Sequence, residues 1–177
     1  EYRDTVGDTF HRDYNGYGGL HYTDRSGRND IVTCKVAVDA RNVSFYAETR
    51  APLTPHTDQN WMLLFIDADR NPGTGWFGYD YLVNRAIVDA RTTTVMRYAG
   101  KSPTGKWVEV ARVPWRASSN RLEVRIPRSV LGLIGDAWTC DFKWADNPSG
   151  LTDPIAFCTS GDTAPNRRFN YRCEWKK

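Results

Sequence analysis

The stretch WMLLFIDADRNPGTGWFGYDYLVNRAIVDA, residues 61–90, decides the fold. Every residue from Trp61 to Ile66 is apolar. Such a run, bounded by turn signals, reads as a central strand covered on both faces. It is far shorter than the ~20 residues of a membrane-spanning helix. Asp, Asn, Pro and Gly then make a loop over residues 67–75, and YDYLVNRAIVDA makes a second strand beside the first.

Outward from this pair, the same alternation recurs. IVTCKVAVDA and VSFYAET flank a turn at Arg41-Asn42, TTVMRYAG follows the central pair, and KWVEVARVPW and RLEVRIP flank ASSN. WTCDFKWADN, IAFCTSGD and RRFNYRCEW close the chain. Pro127 before RSVLGL suits one short helical turn, with Pro in its first position. Residues 1–30 are polar and rich in Gly and Tyr, and read as an irregular segment wrapping the domain. Strands at this spacing predict an all-β fold, a single antiparallel β-sandwich of about nine strands with one short helical turn. At 177 residues, one domain over 1–177 is expected.

Composition agrees. Aromatic residues make up 13%, and 16 Asp stand against 5 Glu, a bias toward turns rather than helices. The net charge is only +3, and the sole adjacent basic pairs are Arg167-Arg168 and Lys176-Lys177. No face gathers the Lys and Arg that a nucleic-acid partner requires. The three histidines, His11, His21 and His56, sit in loop-like stretches, which gives a His-based triad or zinc site no footing. The four cysteines, Cys34, Cys140, Cys158 and Cys173, lack the close spacing of a metal knuckle or redox motif. Two disulfides are expected, Cys140–Cys158 from consecutive strands and Cys34–Cys173 from the first regular and last strands, and with them an oxidising compartment. The alternative is four buried free thiols. The start at Glu1, without Met or an apolar leader, suggests a mature protein or a module of a longer secreted or periplasmic chain.

Asp67, Asp69 and Asn71 stand at alternate positions before a Gly and a hydroxyl residue, with Asp80 on the next strand. Such oxygens can converge on calcium, or they can cap the turn through their own backbone. Asp67 and Asp69 are about 6.6 Å apart along a strand, near a glycosidase separation, but such pairs act from opposite sides of a sugar. The aromatic run at 76–81 offers Trp76 and Tyr79 as flat surfaces for sugar rings, with Asn84 and Arg85 as hydrogen-bond donors. Trp61 and Trp144 alternate with other apolar residues and read as core.

The stretches TDRSGRNDI, WMLLFIDADRNPGTGWFGYDYLVNR and SGDTAPNRRFNYRCEW resemble bacterial extracellular domains similar to family 9 carbohydrate-binding modules, which are DOMON-like β-sandwiches. The matching pattern is Asp67, Asp69, Thr74-Gly75-Trp76, Gly78-Tyr79-Asp80 and Asn84-Arg85. The resemblance implies non-catalytic binding of a polysaccharide or oligosaccharide, a bound structural calcium, and a catalytic domain in the same parent chain. The alternative is a spacer or docking domain without a ligand. A haem-binding relative would need axial Met and His, and neither Met62 nor Met96 has a His at a matching strand position, so no organic cofactor is expected.

Overall fold

The computed structural model describes residues 1–9 and 12–177, without the side chain of Tyr17; His11 lies outside the described residues. The first strands are β1 (Tyr2–Arg3), β2 (Arg12–Asn15), β3 (His21–Asp24), β4 (Ile31–Val38), β5 (Asn42–Thr49), β6 (Leu63–Asp67) and β7 (Tyr81–Ile87). They are followed by β8 (Thr92–Ala99), β9 (Lys106–Ser118), β10 (Arg121–Pro127), β11 (Ala137–Asp146), β12 (Asp162–Ala164) and β13 (Tyr171–Lys176). The fold is all-β and antiparallel, as expected.

Its architecture differs from two separate sheets of about nine strands. One 11-stranded sheet runs β1-β4-β5-β10-β9-β8-β7-β6-β11-β12, with β13 also paired to β11, while β2 and β3 form a separate hairpin. β9 makes the sheet continuous. Its first part pairs with β8 and its last residues with β10. The two ends then nearly meet. Asp162 of β12 accepts the Ile31 amide of β4 at 2.6 Å, and Tyr2 of β1 donates to the Arg172 carbonyl of β13 at 2.7 Å. The arrangement is a nearly closed barrel. The helical turn is displaced as well. Residues 128–132 form non-helical turns, and besides the three-residue 3-10 turn Tyr17–Gly19 the described residues hold one 3-10 helix, Pro154–Cys158, with Asp153 capping it through the Ile155 amide.

β6 lies between β7 and β11 and is buried along its whole length. Leu64 and Ile66 face the barrel interior with Trp61, Phe142 and Trp144. Leu63 and Phe65 face outward, into a second apolar layer of Trp76, Tyr79, Leu82, Tyr98 and Phe157. Trp61 is core, yet not on the face that its alternation with Leu63 implies. Met62 has φ +41°, and this bend before β6 shifts the parity by one. No helix among the described residues is long and apolar enough to cross a membrane.

The expected disulfides are not formed; all four cysteines are free thiols. Cys140 is directly opposite Cys173 across β11 and β13, and both face the inner core. Cys158 ends the 3-10 helix, whose Phe157 belongs to the outer layer, so the sheet separates it from Cys140. Cys34 pairs in register with Tyr2, and β1 with its Tyr2–Tyr171 ring contact stands between β4 and β13.

Phe65 holds the outer layer to the sheet, with ring centroids 5.6 Å from Trp76, 5.2 Å from Tyr79 and 5.1 Å from Phe157. Phe65→Ala is expected to cost about 3–5 kcal/mol, the usual cost of truncating a buried Phe, and a urea unfolding midpoint reads it directly.

Candidate functional site

The loop after β6 is built by its own acids. Asp67 Oδ1 accepts the Arg70 amide at 2.6 Å, and Asp69 Oδ1 accepts the Asn71 amide at 2.9 Å and the Thr74 hydroxyl at 3.0 Å. Asn71 Oδ1 accepts the Gly73 amide at 2.9 Å, and Asp80 Oδ2 accepts the Ala68 amide at 2.9 Å. Trp76 and Tyr79 then exchange backbone hydrogen bonds and turn the chain back toward β7. This return requires a glycine at 75. Its φ is +61°, and a Cβ there would stand 2.2 Å from the Tyr79 carbonyl oxygen.

The turn gathers three carboxylates. Asp67, Asp69 and Asp80 each present an oxygen within 4.8 Å of the other two. Burial pushes the Asp67 carboxyl up to about 6, and the neighbouring charges of Asp80 and Asp69 add to it. Burial likewise raises Asp80, with Asp69 contributing. An oxygen that accepts one amide keeps a second lone pair, so capping the turn and ligating a hard cation are compatible. These three fit calcium. Asn71, expected as a fourth ligand, accepts the Gly73 amide on its Oδ1 at 2.9 Å.

The expected sugar-binding residues do not share one surface. Trp76 is only 2% exposed and packs against Phe65, Trp107 and Phe157. It covers the outer face of β6 instead of standing free. Tyr79 is buried in the same layer, with its hydroxyl donating to Asn170 Oδ1 at 2.7 Å. Asn84 is buried with φ +65° and donates to the Met62 carbonyl at 2.8 Å. Arg85 is exposed beside Asn60, whose Oδ1 it reaches at 3.2 Å.

A different group meets beside the acidic loop. A pocket of about 180 Å³ is lined by Phe77, Tyr79, Phe157, Asp67, Arg168 and Asn170, with Pro72, Gly78 and Pro154 completing its wall. Phe77, 42% exposed, is the ring that the loop leaves open. Trp76 and Tyr79 share the inward side of this tight return, which leaves Phe77 between them pointing out. Arg168 and Asn170 come from the segment before β13, within SGDTAPNRRFNYRCEW, and nothing local in the sequence marks them as site residues. A larger open groove of about 1020 Å³ lies elsewhere, lined in part by Arg41, Arg128, Ile134 and Trp175. Arg128 serves the scaffold there. It donates to the carbonyls of Leu133, Ala40 and Gly135, and its guanidinium lies 4.3 Å from the Trp175 ring.

No family model matches the chain, and no curated protein or solved structure matches it either. The resemblance to family 9 modules therefore rests on the motif residues alone.

Two outcomes are expected. Trp76→Ala should lower stability by about 3–5 kcal/mol, as for any large buried ring, measured by urea unfolding. Asp67, whose folded pKa of about 6 lies above the ordinary aspartate value of 3.8, binds more protons in the fold than in the unfolded chain between those values. The stability that its protonation contributes is present below pH 4 and lost as pH rises through about 6. In chelator, the melting temperature of the native chain should therefore fall more steeply from pH 5 to pH 7 than that of Asp67→Asn. Parallel profiles would contradict this.

Proposed function

We propose that this chain is a non-catalytic carbohydrate-binding domain that seats a single sugar residue in the pocket beside the acidic loop. The observation that carries this reading is the pocket itself. Phe77 offers an accessible ring face at its mouth, while Asp67, Arg168 and Asn170 offer an acceptor, a planar donor and an amide to hydroxyl groups. Sugar sites combine these ingredients, a ring for the C–H face and a few convergent polar groups for the hydroxyls. The volume is below the ~300 Å³ at which pockets for drug-sized ligands begin, which suits one ring of a glycan. Asp67 is the only carboxylate among the lining residues, whereas glycoside hydrolysis needs a flanking pair.

Calcium at Asp67, Asp69 and Asp80 belongs to the same reading. It would brace the loop from which Phe77 and Gly78 form one wall, without itself contacting the sugar. A secreted or periplasmic location and a polysaccharide-active catalytic domain in the same parent chain complete the proposal. The family 9 resemblance supports both.

Isothermal titration against a panel of plant and algal mono- and oligosaccharides tests it. One sugar class should bind. Phe77→Ala and Arg168→Ala, both at exposed positions, should each weaken that binding about tenfold, or about 1.4 kcal/mol, with the melting temperature unchanged. A panel without any binding would favour the spacer or docking domain.

A further inference from the structure

A second set of acids lies where the two ends of the sheet approach each other, remote in sequence from the loop after β6. Asp4 follows β1, Asp8 lies in the turn beyond it, Asp30 precedes β4, and Asp162 opens β12. Asp4, Asp8 and Asp162 each present an oxygen within 4.8 Å of the other two.

Asp162 accepts on both oxygens, its Oδ1 from the Thr163 amide at 2.8 Å, whereas the hydrogen bonding of the other three carboxylates is one-sided. Asn166 Nδ2 donates to Asp8 Oδ2 and to Asp4 Oδ1, the Gly7 amide donates to Asp30 Oδ2 at 2.7 Å, and the Ile31 amide donates to Asp162 Oδ2 at 2.6 Å. Each side chain is thereby fixed in place. The remaining oxygens of three of them, Asp4 Oδ2, Asp8 Oδ1 and Asp30 Oδ1, are buried with no hydrogen-bond partner among the described residues. Asp8 and Asp30 are each only 5% exposed. A bare carboxylate oxygen out of water is costly, and such groups normally find a donor, a cation or a metal.

The nearby cations do not meet that need. Lys143 is fully buried and raises no ion pair within 4 Å of these acids among the described residues; its ammonium donates to the Pro165 carbonyl instead. Arg50 reaches Asp30 only at 4.0 Å, and on the oxygen already engaged by Gly7. Burial is the leading cause that pushes Asp4 up to about 6 and raises Asp30 and Asp162, and charges within the group add to each.

We propose that Asp4, Asp8 and Asp162, with Asp30 beside them, form a binding site for a divalent cation that ties the two ends of the sheet together. The donor set is all oxygen and rich in carboxylates, which selects calcium over zinc. Asp4 and Asp8 come from the β1 end and Asp162 from the β12 end, so one ion would cross-link strands at opposite ends of the sheet order. The proposal stands independently of sugar binding and of calcium at the Asp67 loop.

Calcium titration of the chelator-treated full chain tests it, by calorimetry and by melting temperature. In Asp69→Asn, which disables the loop site, one calcium per chain should still bind. Adding Asp8→Asn should abolish that binding and the calcium-induced rise in melting temperature. In chelator alone, Asp8→Asn should melt no lower than its parent, because it relieves repulsion among the acids. If Asp8→Asn does not fold, Asp4→Asn, at a partly exposed position, replaces it. Binding of no calcium by Asp69→Asn, or undiminished binding by the double variant, would overturn the proposal. Loss of binding in Asp8→Asn alone, with Asp69→Asn like the native chain, would uphold it and instead overturn calcium at the loop.

Discussion

β6 has no face open to water, and the rest of the structure follows from that constraint. A half-buried strand needs one apolar layer against it; Leu63–Asp67 needs two. Leu64 and Ile66 find theirs inside the barrel. Leu63 and Phe65 point to what would otherwise be solvent, and burying a side chain of that size is worth about 1.5–3 kcal/mol. The loop after β6 and the 3-10 helix Pro154–Cys158 supply the cover, by laying Trp76, Tyr79 and Phe157 over Phe65. The acids of the loop make the return tight enough to reach. The candidate pocket is the seam left where these two covering segments meet the segment before β13, so the site is a by-product of how the central strand is roofed.

The entry into β6 is held with equal care by a buried carboxylate. Asp146 accepts the Met62 amide at 2.9 Å, Asn29 Nδ2 at 3.0 Å and Arg28 Nε at 2.8 Å. Arg28 continues to the Gln59 carbonyl and to Asp58. From the other side, Asn84 donates to the Met62 carbonyl. The left-handed bend at Met62 is thus clamped at both its amide and its carbonyl. A buried acid in this position is tolerable because three donors, one of them the Arg28 guanidinium, compensate it. The segment SGRNDI, one of the motif stretches, has this structural use, and so does Asn84.

What the sequence made legible was the pattern of covered and uncovered faces. WMLLFID as a central strand, its pairing with YLVNRAI, Trp144 as core and the Asp-capped turn all follow from local periodicity and turn chemistry. The strand count fell short because β1 and β12, at 2 and 3 residues, are too brief to carry a period. β2 and β3 lay hidden in the polar, Gly-rich stretch before Ile31. Trp76 was the instructive error. A strand apolar on both faces implies a second layer, and the nearest large ring in the chain was the natural candidate to form it. The cysteine pairing failed because sequence order does not reveal that β1 inserts between β4 and β13, nor that Cys158 lies across the sheet from Cys140. Arg168 and Asn170 were invisible for a similar reason: only the tertiary approach of the last loop to the acidic loop makes them part of a pocket.

The central claim is that the seam between the acidic loop and the segment before β13 recognises sugar. Backbone amide shifts of the isotopically labelled chain, followed by NMR during titration with monosaccharides, test it most directly. The account predicts saturable shifts clustered at Phe77, Gly78, Arg168 and Asn170. Shifts confined to the groove around Trp175, or no shift with any sugar, would contradict it.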